Sequence, residues 1–324
     1  MSELLAERFQ RTGHSVVLAT QTGASSADTG DLRIVRRPNP RQLFELVQWA
    51  DVVFHNNISL RFAWPQLFLS RPWVIAHHTW IPTRGLAGRL KRFVLRYAQN
   101  IAVSDAVARS LPMLCVVVPN PYADDRFVRL AGTLRDRELL FVGRLVSDKG
   151  VGVLIDALAA LAERGQHACL TVIGDGPEEP ALRQQAQALG VADQVDFAGR
   201  RTGDDLVWAL NAHRVLVVPS MWEEPFGVVA LEAIACGCVP LVARSGGLPD
   251  AVGACGRVVP KGDRQALATA MGMLLDQPTL LECHRAGAAA HLARHTRDRV
   301  ARDYLKVLDD AHRAGTHHRS ARAV

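Results

Sequence analysis

The sequence holds six cysteines but no Cys-x-x-Cys pair, and Cys236-Gly-Cys238 lacks a His or Cys partner at zinc-site spacing. A disulfide framework or structural zinc is therefore not expected, and the thiols read as buried and free in a reducing compartment. The longest apolar stretch, Val228 to Ala243, is too short for a membrane span and carries Glu232. The opening residues Met1-Ser-Glu-Leu-Leu-Ala-Glu-Arg are charged and lack a secretory apolar core, so a cytoplasmic protein is expected. No internal repeat is evident, and only the basic, His-bearing tail Arg313–Arg322, expected to fray, is low in complexity. Aromatic residues are few, at 6% of 324 residues.

The rest is ordinary globular material: 48% hydrophobic, 22% charged, with 25 Gly and 16 Pro. This excludes a disordered, collagenous or coiled-coil chain, and the length suggests two domains. The net charge of +6 is unevenly placed: residues 1–133 carry +7 and residues 134–324 carry −1. A basic first half suggests an anionic partner or simply a solvated basic face.

Short apolar, β-branched runs alternate with helical patterns along the whole chain. They fall at 14–20, 32–35, 51–55, 73–77, 100–103 and 115–118, then at 138–142, 168–173, 194–197, 214–218 and 239–243. Such runs separated by helices are the pattern of parallel strands buried on both faces, so two doubly wound α/β sheets are expected. The boundary is placed between residues 133 and 134, with a domain at 134–296 and a final helix and tail at 297–324. A doubly wound domain normally opens on a strand and a glycine turn. This chain opens on a helix at Ser2–Thr12, so the first domain is expected to lack its opening strand, through a start assigned too late or a real loss.

The second half carries the chemistry. Strand 138–142 runs into Gly143-Arg144-Leu-Val-Ser-Asp-Lys149-Gly150, where two cations and two glycines suit an anion outside a strand end. The turn Gly174-Asp-Gly176-Pro177 lacks the third glycine of a dinucleotide fingerprint, which argues against a dehydrogenase. A third strand ends near Pro219 and leads through Trp222-Glu223-Glu224-Pro225-Phe226-Gly227 into a helix. The N–H groups of Phe226–Val229 are then free to hold phosphate or sugar oxygens. Glu224 precedes those donors, and Glu232 sits among Val228, Val229, Leu231, Ala233 and Ile234, where a carboxylate needs a partner. A capping Glu224 and a Glu232 paired to an arginine would be the structural alternative. A last turn, Gly246-Gly247-Leu-Pro-Asp250, follows strand 239–243.

Together these turns resemble the donor half of the family-4 retaining glycosyltransferases, which have the two-Rossmann-domain GT-B fold. Glu224 and Glu232 match that family's Glu-x7-Glu pair, and Gly143, Arg144, Lys149 and Gly150 its Gly-Arg…Lys-Gly turn. Gly174–Pro177 match its Gly-Asp-Gly-Pro turn, and Gly246–Asp250 its Gly-Gly-Leu-Pro-Glu turn, with Asp250 for the usual Glu. In the first half, His78 resembles the family's active-site histidine, Ser104 its Val-Ser helix start and Asn120 its Pro-Asn turn.

The resemblance implies transfer of a sugar from a UDP-, GDP- or ADP-sugar to an acceptor hydroxyl with retention of configuration, without a cofactor. Arg144 and Lys149 would neutralise the leaving diphosphate, and no Asp-x-Asp triplet suggests a metal. Glu232 would hold the ribose hydroxyls, and Glu224 the transferred sugar. The donor site would comprise Gly143, Arg144, Lys149, Gly174, Gly176, Glu224, Phe226, Gly227, Val228 and Glu232, with Glu224, His78, Arg144 and Lys149 as its catalytic members.

The first half would bind a glycan or lipid-linked acceptor. Leu86, Leu90, Phe93, Val94 and Tyr97 recur at helical spacing with Arg89, Lys91, Arg92 and Arg96 between them. Either residues 84–97 touch the inner face of a membrane, or the stripe packs on the sheet and the cations are solvated. The alternatives are an inactive nucleotide-sugar-binding remnant and a nucleotide-sugar epimerase. A nucleic-acid binder is suggested only by the pI of about 9.3, and no recognition motif supports it.

Overall fold

A computed structural model describes residues 1–23 and 32–320, the side chains of 316–320 excepted. The chain divides into two compact units, Met1–Pro119 with Arg297–Val324, and Asn120–Thr296. The division thus falls earlier than the expected 133/134. The reason is local: buried Asn211 accepts from Leu130 N–H at 2.9 Å and donates to Val128 O at 3.0 Å and Val207 O at 2.9 Å. Tyr122 N–H also bonds His295 O at 3.2 Å, so the segment from Asn120 onward is tied into the second unit.

All strand pairs among the described residues are parallel. The first unit contains β1 (Val17–Thr20), β2 (Arg33–Arg36), β3 (Val53–Asn56), β4 (Trp73–His77), β5 (Gln99–Ala102) and β6 (Val116–Val117). They form two sheets rather than one: β1-β2, and β3-β4-β5-β6. A cavity of about 1210 Å³ is lined by every residue of β1 and β3, together with Leu5, Phe9, Leu43 and Val47. Among the described residues no strand bridges β1 and β3, which is where a doubly wound sheet would continue. The opening helix, Ser2–Arg11, stops before Gly13, whose φ of +92° suits glycine. Its Leu5 and Phe9 pack with Val74, Ala76 and Ile101 of the four-stranded sheet. The last helix runs from Arg297 to Ser320, well past the expected end at Arg313, and buries Val300, Tyr304 and Val307 in that same core. Residues 321 and 322 of the expected frayed tail lie outside the described residues.

The second unit contains β7 (Arg137–Val142), β8 (Leu170–Ile173), β9 (Val195–Gly199), β10 (His213–Val218), β11 (Val239–Ala243) and β12 (Arg257–Val259) in one sheet of order β12-β11-β10-β7-β8-β9. The short strand β12 has no counterpart in the sequence pattern. Helix Val151–Ala162 buries Leu154, Ile155, Leu158 and Leu161 against the sheet, with Leu139, Val172, Val215 and Leu241 beneath. The strand order reverses between β7 and β10. Outside the carboxyl ends of strands at such a reversal lies the place where open α/β sheets hold ligands.

The cysteines are all free, but only Cys236, Cys238 and Cys255 are buried. Cys115 is half-buried, and Cys169 and Cys283 are exposed, against expectation: Cys169 lies just before β8, and Cys283 lies within the helix Pro278–Ala286, whose one buried residue is Leu281.

Candidate functional site

Four turns meet at the β7–β10 reversal, and main-chain hydrogen bonds join them in series. Leu145 N–H, after β7, bonds Asp175 O, after β8, at 2.8 Å. Met221 and Trp222 N–H, after β10, both bond Asp148 O, at 2.8 and 3.0 Å. Gly247 N–H, after β11, bonds Glu224 O at 2.7 Å. The glycines read from the sequence are what allow this approach. A Cβ on Gly174 would lie 1.8 Å from Gly143 O, and one on Gly150 2.1 Å from Pro219 O, with φ values of +149° and +74°. Gly176 packs on the Leu145 backbone in the same way.

Within this junction Lys149 Nζ lies 2.6 Å from Glu224 Oε1, and Ser220 Oγ donates to the same oxygen at 2.9 Å. The side chains are 24% and 16% exposed, so the pair is sheltered yet reachable. The sequence reading gave Lys149 and Glu224 separate partners; here each is the other's partner. Ser220 is buried and was missed, since a serine after a strand carries no pattern. Arg144 is exposed and makes no hydrogen bond or ion pair with the described residues. Glu223 fastens the loop from outside: it pairs with Lys261, and Gly246 N–H donates to its Oε2 at 2.6 Å. The Lys261 ammonium foremost, aided by that N–H, holds the Glu223 carboxyl below its usual range.

The helix after the loop begins at Val228, preceded by Gly227 with a φ of +123°. Its first N–H with a main-chain partner is that of Ala230, which bonds Gly227 O at 3.0 Å. The N–H groups of Gly227, Val228 and Val229 are thus available, and these residues are half-exposed. Phe226 is buried against His295, ring centroids 5.7 Å apart. It therefore anchors the helix start rather than lining open space.

Glu232 sits one turn into this helix, and its Cα–Cβ bond leans toward the helix start. It is half-buried, and its carboxylate has no hydrogen-bond or ion-pair partner among the described residues. The arginine partner considered as an alternative is absent. Burial raises its pKa from 4.5 to about 7. Nearby arginines serve the helix end instead: Arg135 donates to Cys236 O and Arg285 Nε to Gly237 O at 2.8 Å. Among the described residues there is no group of three or more His, Cys, Asp or Glu placed to hold a metal ion.

His78 belongs to the first unit, at the carboxyl end of β4. Its N–H bonds Asn57 Oδ1 at 2.8 Å, and its Nε2 lies 3.4 Å from Tyr304 Oη. Its neighbour His77 is a core residue whose Nε2 donates to Asn100 Oδ1 at 2.9 Å. Burial lowers its pKa, with the Asn100 bond opposing. Ser104 caps the following helix by accepting from Val107 N–H at 3.2 Å, and Asn120 O faces His295 Nδ1 at 3.4 Å.

Residues 127–292 match the family Glycosyl transferases group 1, and they include every member of the β7–β10 junction. The chain belongs to this family. Among curated proteins it is 34% identical over 247 residues to 2-deoxystreptamine N-acetyl-D-glucosaminyltransferase of Streptomyces fradiae, covering 67% of this chain and 57% of that protein. It is 38% identical over 182 residues to D-inositol 3-phosphate glycosyltransferase of Salinispora tropica, covering 53% and 38%. The chain thus spans about half the length of the curated relatives it matches. Among solved structures, a glycosyltransferase from Rickettsia africae has a TM-score of 0.81 at 16% identity, over 96% of this chain and 93% of that one. Anabaena Alr3699/HepE in complex with UDP has a TM-score of 0.81 at 19% identity, over 95% of both. The fold is accordingly the α/β, Rossmann-like GT-B fold.

Proposed function

We propose that this protein is a glycosyltransferase that takes a sugar from a nucleotide-diphosphosugar bound at the β7–β10 junction. The observation that carries the reading is Glu232: a half-buried carboxylate with no partner, one turn inside a helix whose first N–H groups are unbonded. Such a group gains most from hydroxyl donors, which a ribose supplies. The diphosphate would meet Arg144, the helix-start amides and Lys149. Lys149 would then be shared between the phosphate and Glu224, and Glu224, oriented by Lys149 and Ser220, would present its Oε2 to hydroxyls of the transferred sugar. Solved neighbours carry UDP with glucose or UDP with GlcNAc, which makes UDP-sugars the first donors to try.

Transfer would proceed with retention. The bond from the anomeric carbon to the diphosphate oxygen breaks, and the acceptor oxygen bonds to that carbon on the same face. The acceptor's proton passes to the departing phosphate oxygen. Arg144 and Lys149 would take up the developing negative charge, so this scheme calls on neither a metal nor a protein nucleophile. Residues 1–119 with 297–324 would receive the acceptor, with His78 as their reactive-centre member. Thermal shift with UDP-, GDP- and ADP-sugars, followed by product analysis, tests this. A donor that raises the melting temperature of the wild type but not of Glu232→Ala supports the site. Equal shifts in both remove it.

The break between β1 and β3 favours a second reading, a protein that binds the nucleotide-sugar without transferring it. Donor binding without turnover, by the same chain, would select that reading.

A further inference from the structure

The helix Leu86–Val94, continued by the turn Leu95–Tyr97, is oriented against its own apolar pattern. Its inward face holds Gly88, Val94 and Leu95. Gly88 fits so closely that a Cβ would lie 2.3 Å from Pro82 O. The larger apolar residues point away from the core: Leu86, Leu90, Phe93 and Tyr97 are 82%, 46%, 46% and 64% exposed. Their spacing of four, three and four residues puts them on one stripe. Single exposed apolar residues are commonplace, but an aligned row of four marks a contact surface. Phe93 and Tyr97 meet edge to face at 5.7 Å, and the Arg96 guanidinium covers the Phe93 ring at 4.6 Å.

The charge around this stripe has a single sign. From Val52 to Ser104 the chain contains no Asp or Glu, while Arg61, Arg71, Arg84, Arg89, Lys91, Arg92 and Arg96 fall within it. Arg84, Arg89 and Arg96 are exposed on or beside the helix. A second copy of the same face would bring cations against cations with no carboxylate to answer them. An anionic bilayer answers both features, since acyl chains take the apolar row and headgroups take the cations.

We propose that the Leu86–Tyr97 face seats this protein on the surface of an anionic lipid bilayer. Leu86, Leu90, Phe93 and Tyr97 enter the headgroup–acyl boundary, and Arg84, Arg89 and Arg96 pair with lipid phosphates. The contact is peripheral; among the described residues no helix is long and apolar enough to cross a membrane. The proposal is independent of donor binding, and its test reads membrane partition alone.

Co-sedimentation of the full chain is compared on vesicles of phosphatidylcholine and of phosphatidylcholine with phosphatidylglycerol. Binding is expected only to the anionic vesicles, weakening with added salt. The double variant Leu90→Glu with Phe93→Glu should lower the partition coefficient roughly tenfold or more. Because these side chains face solvent, its circular dichroism should match the wild type. Tyr97→Trp supplies a second readout, a blue-shifted emission on the anionic vesicles. Absence of binding to them overturns the proposal, as does binding that survives the double variant. So does a dimer, seen by light scattering, that the double variant dissociates.

Discussion

In the second unit six parallel strands run without a break from β12 to β9, and four of the loops at their carboxyl ends are bonded to one another. In the first unit the same kind of alternating chain gives two separate sheets, with a cavity along β1 and β3. Both units bury strands between helices, so the difference is one of continuity rather than composition. A continuous sheet brings its loops to one rim, and there a pair of charges 75 residues apart in sequence can meet at 2.6 Å. In the first unit His55 Nδ1 and Asn56 Oδ1 of β3, two residues that line the cavity, are buried with no hydrogen-bond partner among the described residues. Burial brings the His55 pKa down to about 4.

The sharpest way to break this comparison is to remove charge from the second unit's rim. Lys149→Ala and Glu232→Ala should each lower kcat/KM for sugar transfer by about 100- to 1,000-fold or more with the fold intact. Steady-state kinetics on the full chain beside circular dichroism checks this, and retained turnover in either variant refutes the site.

A second contrast concerns packing. Leu158→Ala, in the closed core of the second unit, should cost about 3–5 kcal/mol by urea unfolding. Leu43→Ala, beside the cavity of the first, should cost about 2 kcal/mol or less, because its surroundings are already loosely filled. Asn211→Ala should cost about 2 kcal/mol, since it removes the bonds of a buried amide to Leu130 N–H, Val128 O and Val207 O. Faster proteolytic cleavage between residues 120 and 133 would accompany it.

The smallest effect follows from Glu232. Its folded pKa of about 7 lies above the unfolded 4.5, so the folded state keeps a proton that the unfolded chain releases between those values. The stability contribution is therefore full below pH 4.5 and falls as pH rises through the window. Glu232→Gln should melt higher than the wild type at pH 8 and gain nothing at pH 4. Donor hydroxyls favour the carboxylate, so donor affinity should rise about tenfold from pH 6 to pH 8 in the wild type and stay flat in Glu232→Gln. A variant gaining stability while losing binding is the signature of a carboxylate held for a ligand.

Most strands of the second unit were legible because five-residue apolar runs between helices have few other uses. β12 was not, since three residues bounded by Gly256 and Pro260 form too short a run to show a pattern. The candidate site was legible as four turns, for the glycines and charges mark each one. Its internal wiring was not: the Lys149–Glu224–Ser220 cluster and the Glu223–Lys261 pair depend on which loops become neighbours. The boundary at Pro119 was missed because bonds to residues far along the chain, Tyr122 N–H to His295 O and Asn211 to Val128 and Leu130, tie the segment into the second unit. Periodicity showed that Leu86, Leu90, Phe93 and Tyr97 share a face but not which way it points. That direction was set by Gly88, whose missing side chain lets the opposite face sit on the Pro82 backbone.

Locating a nucleoside diphosphate by crystallography, in crystals of the full chain grown with it, tests the central claim most directly. The account predicts the diphosphate within hydrogen-bond distance of Arg144, Lys149 and the Val228–Val229 amides, with the ribose hydroxyls on Glu232. A nucleotide bound elsewhere, with Glu232 still unpartnered, would contradict it.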